Sequence, residues 1–395
     1  MFVFRFRRLM LAALLMIATA LPVMAHDVQL AATDIRKMPL VKVAPSTYVI
    51  HGMQALPSDD NKGFINNPGF VVTDKGVIVI DPGSNTQVGD ILLDHVKKTT
   101  DKPVVAVLNT HVHGDHWLGN HAVAKAYPGV PIYAHEKAIE RLASGEDKDW
   151  MDLFKNVAPE AMKGTEIVIP DNGLKGGETL TLGGADFVIL YPVEQAHTDT
   201  DIYIEIPSQK AIFLGDIVMN KRTLGNRVQE ASFSGIEKAT QLALDRPGIE
   251  YFIPGHGNSG GREVVENALK FISTLRASVK KYYDDGLADF EMRDKVLADL
   301  KEWGVPDNRV FSEAFGPASG KAVGASKKEK PAAKEGTTAK AGPKVTFERA
   351  GVSLEWDDSF ENLLDCFVQM QATLVNKASI RRLVLMNLWI ARPSA

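Results

Sequence analysis

From about residue 40 to residue 317 the chain alternates two kinds of apolar pattern. Short runs rich in Val, Ile and Phe, bounded by Gly, Pro, Asp or Ser, predict strands. The run GFVVTDKGVIVIDPG at 69–83 reads as two strands around a turn at 74–76, and 103–110, 186–193, 201–206 and 211–216 read as one strand each. Longer stretches at 262–283 and 290–303 place apolar residues at helical spacing and predict helices. Strands interleaved with helices predict sheets covered by helices, a mixed α/β class.

Both ends depart from that pattern. Arg5, Arg7 and Arg8 precede an apolar run at 9–21, and Ala25 supplies the small residue a signal peptidase requires. Residues 1–25 are therefore expected to be a signal peptide, with the mature chain starting near His26. The run is shorter than the ~20 residues of a spanning helix, and no cysteine follows it. The product is expected to be exported, periplasmic or secreted, with no stable membrane insertion after cleavage. Residues 317–345 are rich in Lys, Ala and Gly, cannot offset the entropy of ordering, and are expected to be a flexible linker. Residues 26–316 would form the main domain. The tail at 346–395 regains apolar content and is expected to form one or two helices, with no role assigned.

Composition narrows the chemistry. With 395 residues, 45% of them hydrophobic, the chain buries a large core without staples. A net charge of −4, and no arginine-rich or aromatic-interleaved patch, argue against nucleic acid and leave a small molecule as the expected substrate. Cys366 is the sole cysteine, so no intramolecular disulfide forms and any metal must be held by nitrogen and oxygen.

Such donors are concentrated in LNTHVHGDHWLGN at 108–120. His111, His113, Asp115 and His116 follow directly on the strand-like PVVAVL, where a rigid scaffold would present functional groups. Imidazoles with a carboxylate suit Zn²⁺ and its first-row neighbours when thiolate is absent. More donors occur in the same context: His197 after FVILYPVEQA, Asp216 closing AIFLGD and His256 in YFIPGHG. His26, His51, His95, His121 and His135 lack it and read as surface or supporting histidines.

THVHGDH, with His197, Asp216 and His256 in order downstream, resembles the HxHxDH signature of the metallo-β-lactamase superfamily, over roughly residues 41–261. The resemblance implies a four-layer αββα sandwich with metals at one edge. It implies that His111, His113 and His197 bind one divalent ion, that Asp115, His116 and His256 bind another, and that Asp216 bridges them. Asp81, in VIVIDPG, resembles the acid the family keeps behind its ligands. Two adjacent cations, most simply zinc with iron or manganese as alternatives, would acidify a water and polarise the bond under attack, with Asp115 orienting the nucleophile.

The implied activity is hydrolysis of an ester, thioester or lactam in a small molecule. The antibiotic-hydrolysing branch has a cysteine where Asp216 stands; the carboxylate, with HTDTDIYIEIP and LGDIVMNKR, is more similar to hydroxyacylglutathione hydrolases and exported quinoprotein-relay-type metallohydrolases. Alternatives are a class-B-like β-lactamase, an iron-dependent persulfide dioxygenase or a non-catalytic metal-binding accessory protein. Lys221 and Arg222 read as solvated loop charges, with binding of a substrate carboxylate as the alternative for either.

Overall fold

The computed structural model describes residues 34–221, 230–305, 344–347 and 352–355. The signal-peptide region, Arg222, Cys366 and the two apolar tail segments lie outside the described residues. Among the described residues no helix is long and apolar enough to cross a membrane.

Two sheets carry the first compact unit. One is ordered β1 (Leu40–Ala44), β2 (Thr47–Ile50), β3 (Gly69–Val72), β4 (Val77–Ile80), β5 (Val104–Leu108), β6 (Ile132–His135) and β7 (Asn172–Leu174). Its first four strands are antiparallel, and β4 to β7 run parallel. The other holds β8 (Thr179–Leu182), β9 (Ala185–Leu190), β10 (Tyr203–Ile206), β11 (Ala211–Phe213) and β12 (Tyr251–Ile253), with only β11 and β12 parallel.

The period-two alternation of these strands decides the layering. In β4, Ile78 and Ile80 face the second sheet, meeting Phe187, Ile204 and Phe213, while Val77 and Val79 face helix α1 (Thr86–Thr99). A strand apolar on both faces must be covered on both faces, as VIVI is. Across the second sheet, Tyr203, Ile212 and Phe252 point outward onto the helices that carry Ile236 and Ala239, and Val264 and Val265. The result is helix, sheet, sheet, helix: the αββα arrangement.

Further helices are α2 (Gly114–Trp117), α3 (Asn120–Ala126), α4 (Glu136–Arg141), α5 (Asp147–Val157), α6 (Phe233–Leu244), α7 (Glu263–Asp284) and α8 (Asp289–Glu302). A π-helical turn at Leu142–Glu146 joins α4 to α5. The first unit ends at Ile272, inside α7 and within the span 26–316 expected as the main domain. In the second unit, Tyr282 and Ser278 of α7 donate hydroxyl bonds to Asp299 of α8. Strands β13 (Lys344–Phe347) and β14 (Val352–Glu355) pair antiparallel, so β13 begins inside the segment expected to be linker.

Candidate metal centre

Every sequence-predicted donor sits just past a strand end on one edge of the first unit. β5 leads into the stretch 109–116, the loop after β9 carries His197, β11 leads to Asp216 and β12 to His256. The stretch 111–116 is partly helical: Gly114–Trp117 form a turn of helix. That turn separates the donors, because His111 and His113 precede it while Asp115 and His116 lie on it.

Among the described residues, two groups of donor atoms lie within 4.8 Å of one another: His111, His113, His197 and Asp216, and Asp115, His116, Asp216 and His256. All seven residues are buried. Asp115, at 7% exposure, is the least covered. Asp216 belongs to both groups. Its Oδ1 is 3.1 Å from His116 Nε2, and its Oδ2 is 3.0 Å from His256 Nε2 and 3.5 Å from His197 Nε2. The backbone leaves it little latitude, since a Cβ on Gly255 would come within 2.0 Å of its Oδ1.

The outward ring nitrogens are tied down. His116 Nδ1 donates to Asp81 Oδ2 at 2.8 Å, and His256 Nδ1 donates to the Ile65 carbonyl at 2.6 Å. His111 Nδ1 lies 3.1 Å from the Thr110 hydroxyl, which donates to Asp81 Oδ2 at 2.7 Å. Asp81 therefore orients two imidazoles, one directly and one through Thr110, as carboxylates behind metal ligands do. It does so from the left-handed region, φ 48°, a conformation costing a non-glycine residue about 1 kcal/mol or more.

With those nitrogens engaged, the Nε2 lone pairs turn inward. His111 Nε2, His116 Nε2 and Asp216 Oδ1 are buried without hydrogen-bond partners. An unpaired buried polar atom costs about 1–3 kcal/mol, and a divalent cation would satisfy several at once. The donor set, nitrogen and oxygen only, fits such ions.

The electrostatics agree. Burial lowers the His111 pKa well below its ordinary value, with the charge on His116 adding to the effect, so His111 is a neutral donor. For His116 burial opposes protonation, but Asp216, Asp115 and Asp81 outweigh it and hold the ring charged in the metal-free protein. Burial likewise opposes ionisation of Asp115 and Asp216. The neighbouring His116 and His256 overcome it, keeping both carboxylates ionised well below the usual range.

Other residues emerge only from the structure. The Trp150 ring lies against His113 with centroids 4.6 Å apart, and its Nε1 donates to Glu146. Arg141 grips Glu146 with two bonds of 2.7 and 2.8 Å and reaches Asp199 at 2.5 Å. Buried Asp201 accepts from the Thr198 amide and hydroxyl next to His197. Among the histidines set aside, His51 bonds Ser259 and His135 stacks on Tyr191. Lys221 is exposed, in the left-handed region at φ 58°.

The metallo-beta-lactamase superfamily profile matches residues 61–256. A probable metallo-hydrolase of Streptococcus pyogenes is 27% identical over 199 residues, covering 49% of this chain and 79% of that protein. A hydroxyacylglutathione hydrolase of Francisella tularensis subsp. novicida is 26% identical over 248 residues, 60% of this chain and 80% of its own length. Among solved structures, a metallo-beta-lactamase from Pontibacter korlensis superposes with a TM-score of 0.47 at 23% identity, over 60% of this chain and 98% of that one. The αββα layers and the His/Asp groups able to bind metal thus belong to a metallo-beta-lactamase superfamily domain, which this chain carries at residues 61–256.

Proposed function

We propose that the chain is a two-metal hydrolase that cleaves an ester, thioester or lactam bond of a small molecule, with zinc as the preferred metal. The observation that carries this reading is the pair of buried donor groups sharing Asp216, within which His111 Nε2, His116 Nε2 and Asp216 Oδ1 have no hydrogen-bond partner. His111, His113 and His197 would hold one ion and Asp115, His116 and His256 the other, with Asp216 between them. Bound there, the ions supply an acidified water as nucleophile and a Lewis acid for the scissile carbonyl.

The chain's own groups do the rest. Asp115, kept ionised and least covered, accepts a hydrogen bond from the attacking water and aligns it. Asp81 and the Ile65 carbonyl keep the ring N–H groups outward, so the imidazoles cannot swing away during turnover. The hydroxyacylglutathione hydrolase likeness puts glutathione thioesters first among substrates to try. Export belongs to the same proposal, and a mature protein whose mass begins near His26 supports it.

The test is a panel of glutathione thioesters, lactones, β-lactams and persulfides with metal-loaded protein. Hydrolysis of at least one of the first three, lost on chelation and restored by zinc, is expected, with two metal equivalents per chain. One equivalent of iron with oxygen uptake on persulfides would replace the reading with a dioxygenase. No turnover with any substrate would leave a metal-binding accessory protein.

A further inference from the structure

The stretch FINNPGF at 64–70 contributes no donor to either group, yet it meets the His256 turn repeatedly. Asn67 is 3% exposed, and both its side-chain amide and its backbone N–H bond that turn. Its Nδ2 donates to the Pro254 carbonyl at 2.8 Å and to the Gly257 carbonyl at 2.6 Å. Its backbone N–H donates to the Gly255 carbonyl at 2.9 Å, and its Oδ1 accepts from the Gly52 amide at 3.1 Å. The carbonyls on both sides of His256 are thus gripped by one side chain. Two residues earlier, Ile65 receives the His256 ring proton.

We propose that Asn67 is a positioning residue for the Asp115, His116 and His256 group, and that removing its side chain loosens one metal position while sparing the other. An amide is the side chain that suits the place: two donors for two carbonyls and an acceptor for a third group. Valine or leucine would leave buried carbonyls unpaired, and aspartate would set oxygen against oxygen. The selectivity follows from reach. His111, His113 and His197 stand on the segments after β5 and β9, whereas the Asn67 bonds end on residues 52, 254, 255 and 257. Groups that hold ligands from behind typically govern metal affinity by about 10- to 100-fold, and here the effect falls on one equivalent.

This inference rests on the two-metal reading, and the experiment separates the two. Full-length mature protein is stripped with chelator and titrated with Co²⁺, following binding and the visible spectrum at each equivalent, for wild type, Asn67→Ala and, as the reciprocal case, His197→Ala. Wild type should take up two equivalents. Asn67→Ala should keep one with unchanged affinity and spectrum and weaken the other by about 10- to 100-fold; His197→Ala should spare the equivalent that Asn67→Ala weakens. Fewer than two equivalents in wild type overturns the two-metal reading and this inference with it. Two unchanged equivalents in Asn67→Ala, or equal weakening of both, overturns the inference alone. If Asn67→Ala does not fold, Asn67→Ser, which retains one donor, takes its place; failure of both to fold also overturns the inference, because the side chain would then serve the scaffold as a whole.

Discussion

His113 and His197 are braced by aromatic and charged side chains, whereas His256 is braced by a backbone carbonyl and one neutral amide. Behind His113 stands Trp150, held through Glu146 to Arg141, which also grips Asp199 in the loop carrying His197. The same loop is tied to the β5 end by the Thr200 hydroxyl, which accepts from the Val112 amide, and by the Ile202 amide bond to the Thr110 carbonyl. Behind His256 stand the Ile65 carbonyl and Asn67, an arrangement without net charge. The first arrangement depends on partly exposed ions and should respond to salt and pH. The second depends on loop geometry and should respond to substitutions that move the backbone. Asp216 and Asp81 are the places where the halves meet, so they set how far one metal position can change alone.

The largest effect is expected at Asp216. Asp216→Asn keeps the shape but removes the charge that both groups share, so at least one metal should bind more weakly and hydrolysis should fall by two orders of magnitude or more. In the metal-free protein the same carboxylate is ionised well below its ordinary value, burial notwithstanding, because His256 and His116 face it. A folded pKa below the unfolded one stabilises above the unfolded value, and that stability is lost as pH falls through the folded one. Metal content, circular dichroism and rate measured on one preparation check the prediction. Full activity with two bound ions in Asp216→Asn would dissolve the shared-carboxylate picture.

Asp201 sharpens the contrast from the His197 side. Burial raises its pKa to about 6, against the pull of the His197 charge and the bonds from Thr198. For a carboxyl whose folded pKa is raised, the penalty is absent below the unfolded value near 3.8, grows as pH rises towards 6 and is complete above it. Asp201→Asn in metal-free protein should therefore gain stability over wild type between pH 4 and pH 7. The ceiling is roughly 3 kcal/mol, at about 1.36 kcal/mol per pH unit. A cation at His197 would favour the ionised acid, so loading the metals should shrink the difference. Denaturant melts at each pH give the comparison, and a difference independent of pH would show that Asp201 titrates normally.

What the sequence could tell differed between the halves for the same reason. The seven donors announced themselves because each is a chemistry-bearing residue directly after an apolar run, and chain order placed them on one edge. The apolar runs in VIVI and AIF were equally legible, since a strand covered on both faces has little room for charge; YIEI keeps one, Glu205, paired with Arg246. Gly114–Trp117 carried no helix signal because four residues of helix leave no periodicity. Asn67 and Trp150 were invisible: an asparagine before Pro-Gly looks like turn chemistry, and a tryptophan on amphipathic α5 looks like core. Asp201 was lost inside a strand-like run, and Arg141 reaches Asp199 across a distance that only the folded chain defines.

The smallest expected effect tests the charged brace itself. Arg141 is about one-quarter exposed and Asp199 more so, so each ion pair contributes little by itself, on the order of 1 kcal/mol or less. Its consequence for metal binding passes through Trp150 and the His197 loop, and Arg141→Met should weaken one equivalent by about tenfold at most. Raising salt should weaken the same equivalent in wild type, because partly exposed pairs are screened, and should do much less to Arg141→Met. Asn67→Ala should show the opposite profile, affecting the other equivalent with no added dependence on salt. Cobalt titrations at low and high ionic strength decide between these outcomes. If Arg141→Met and Asn67→Ala weaken the same equivalent, the two halves are not separately braced, and Asp216 would be holding a single rigid centre rather than joining two adjustable ones.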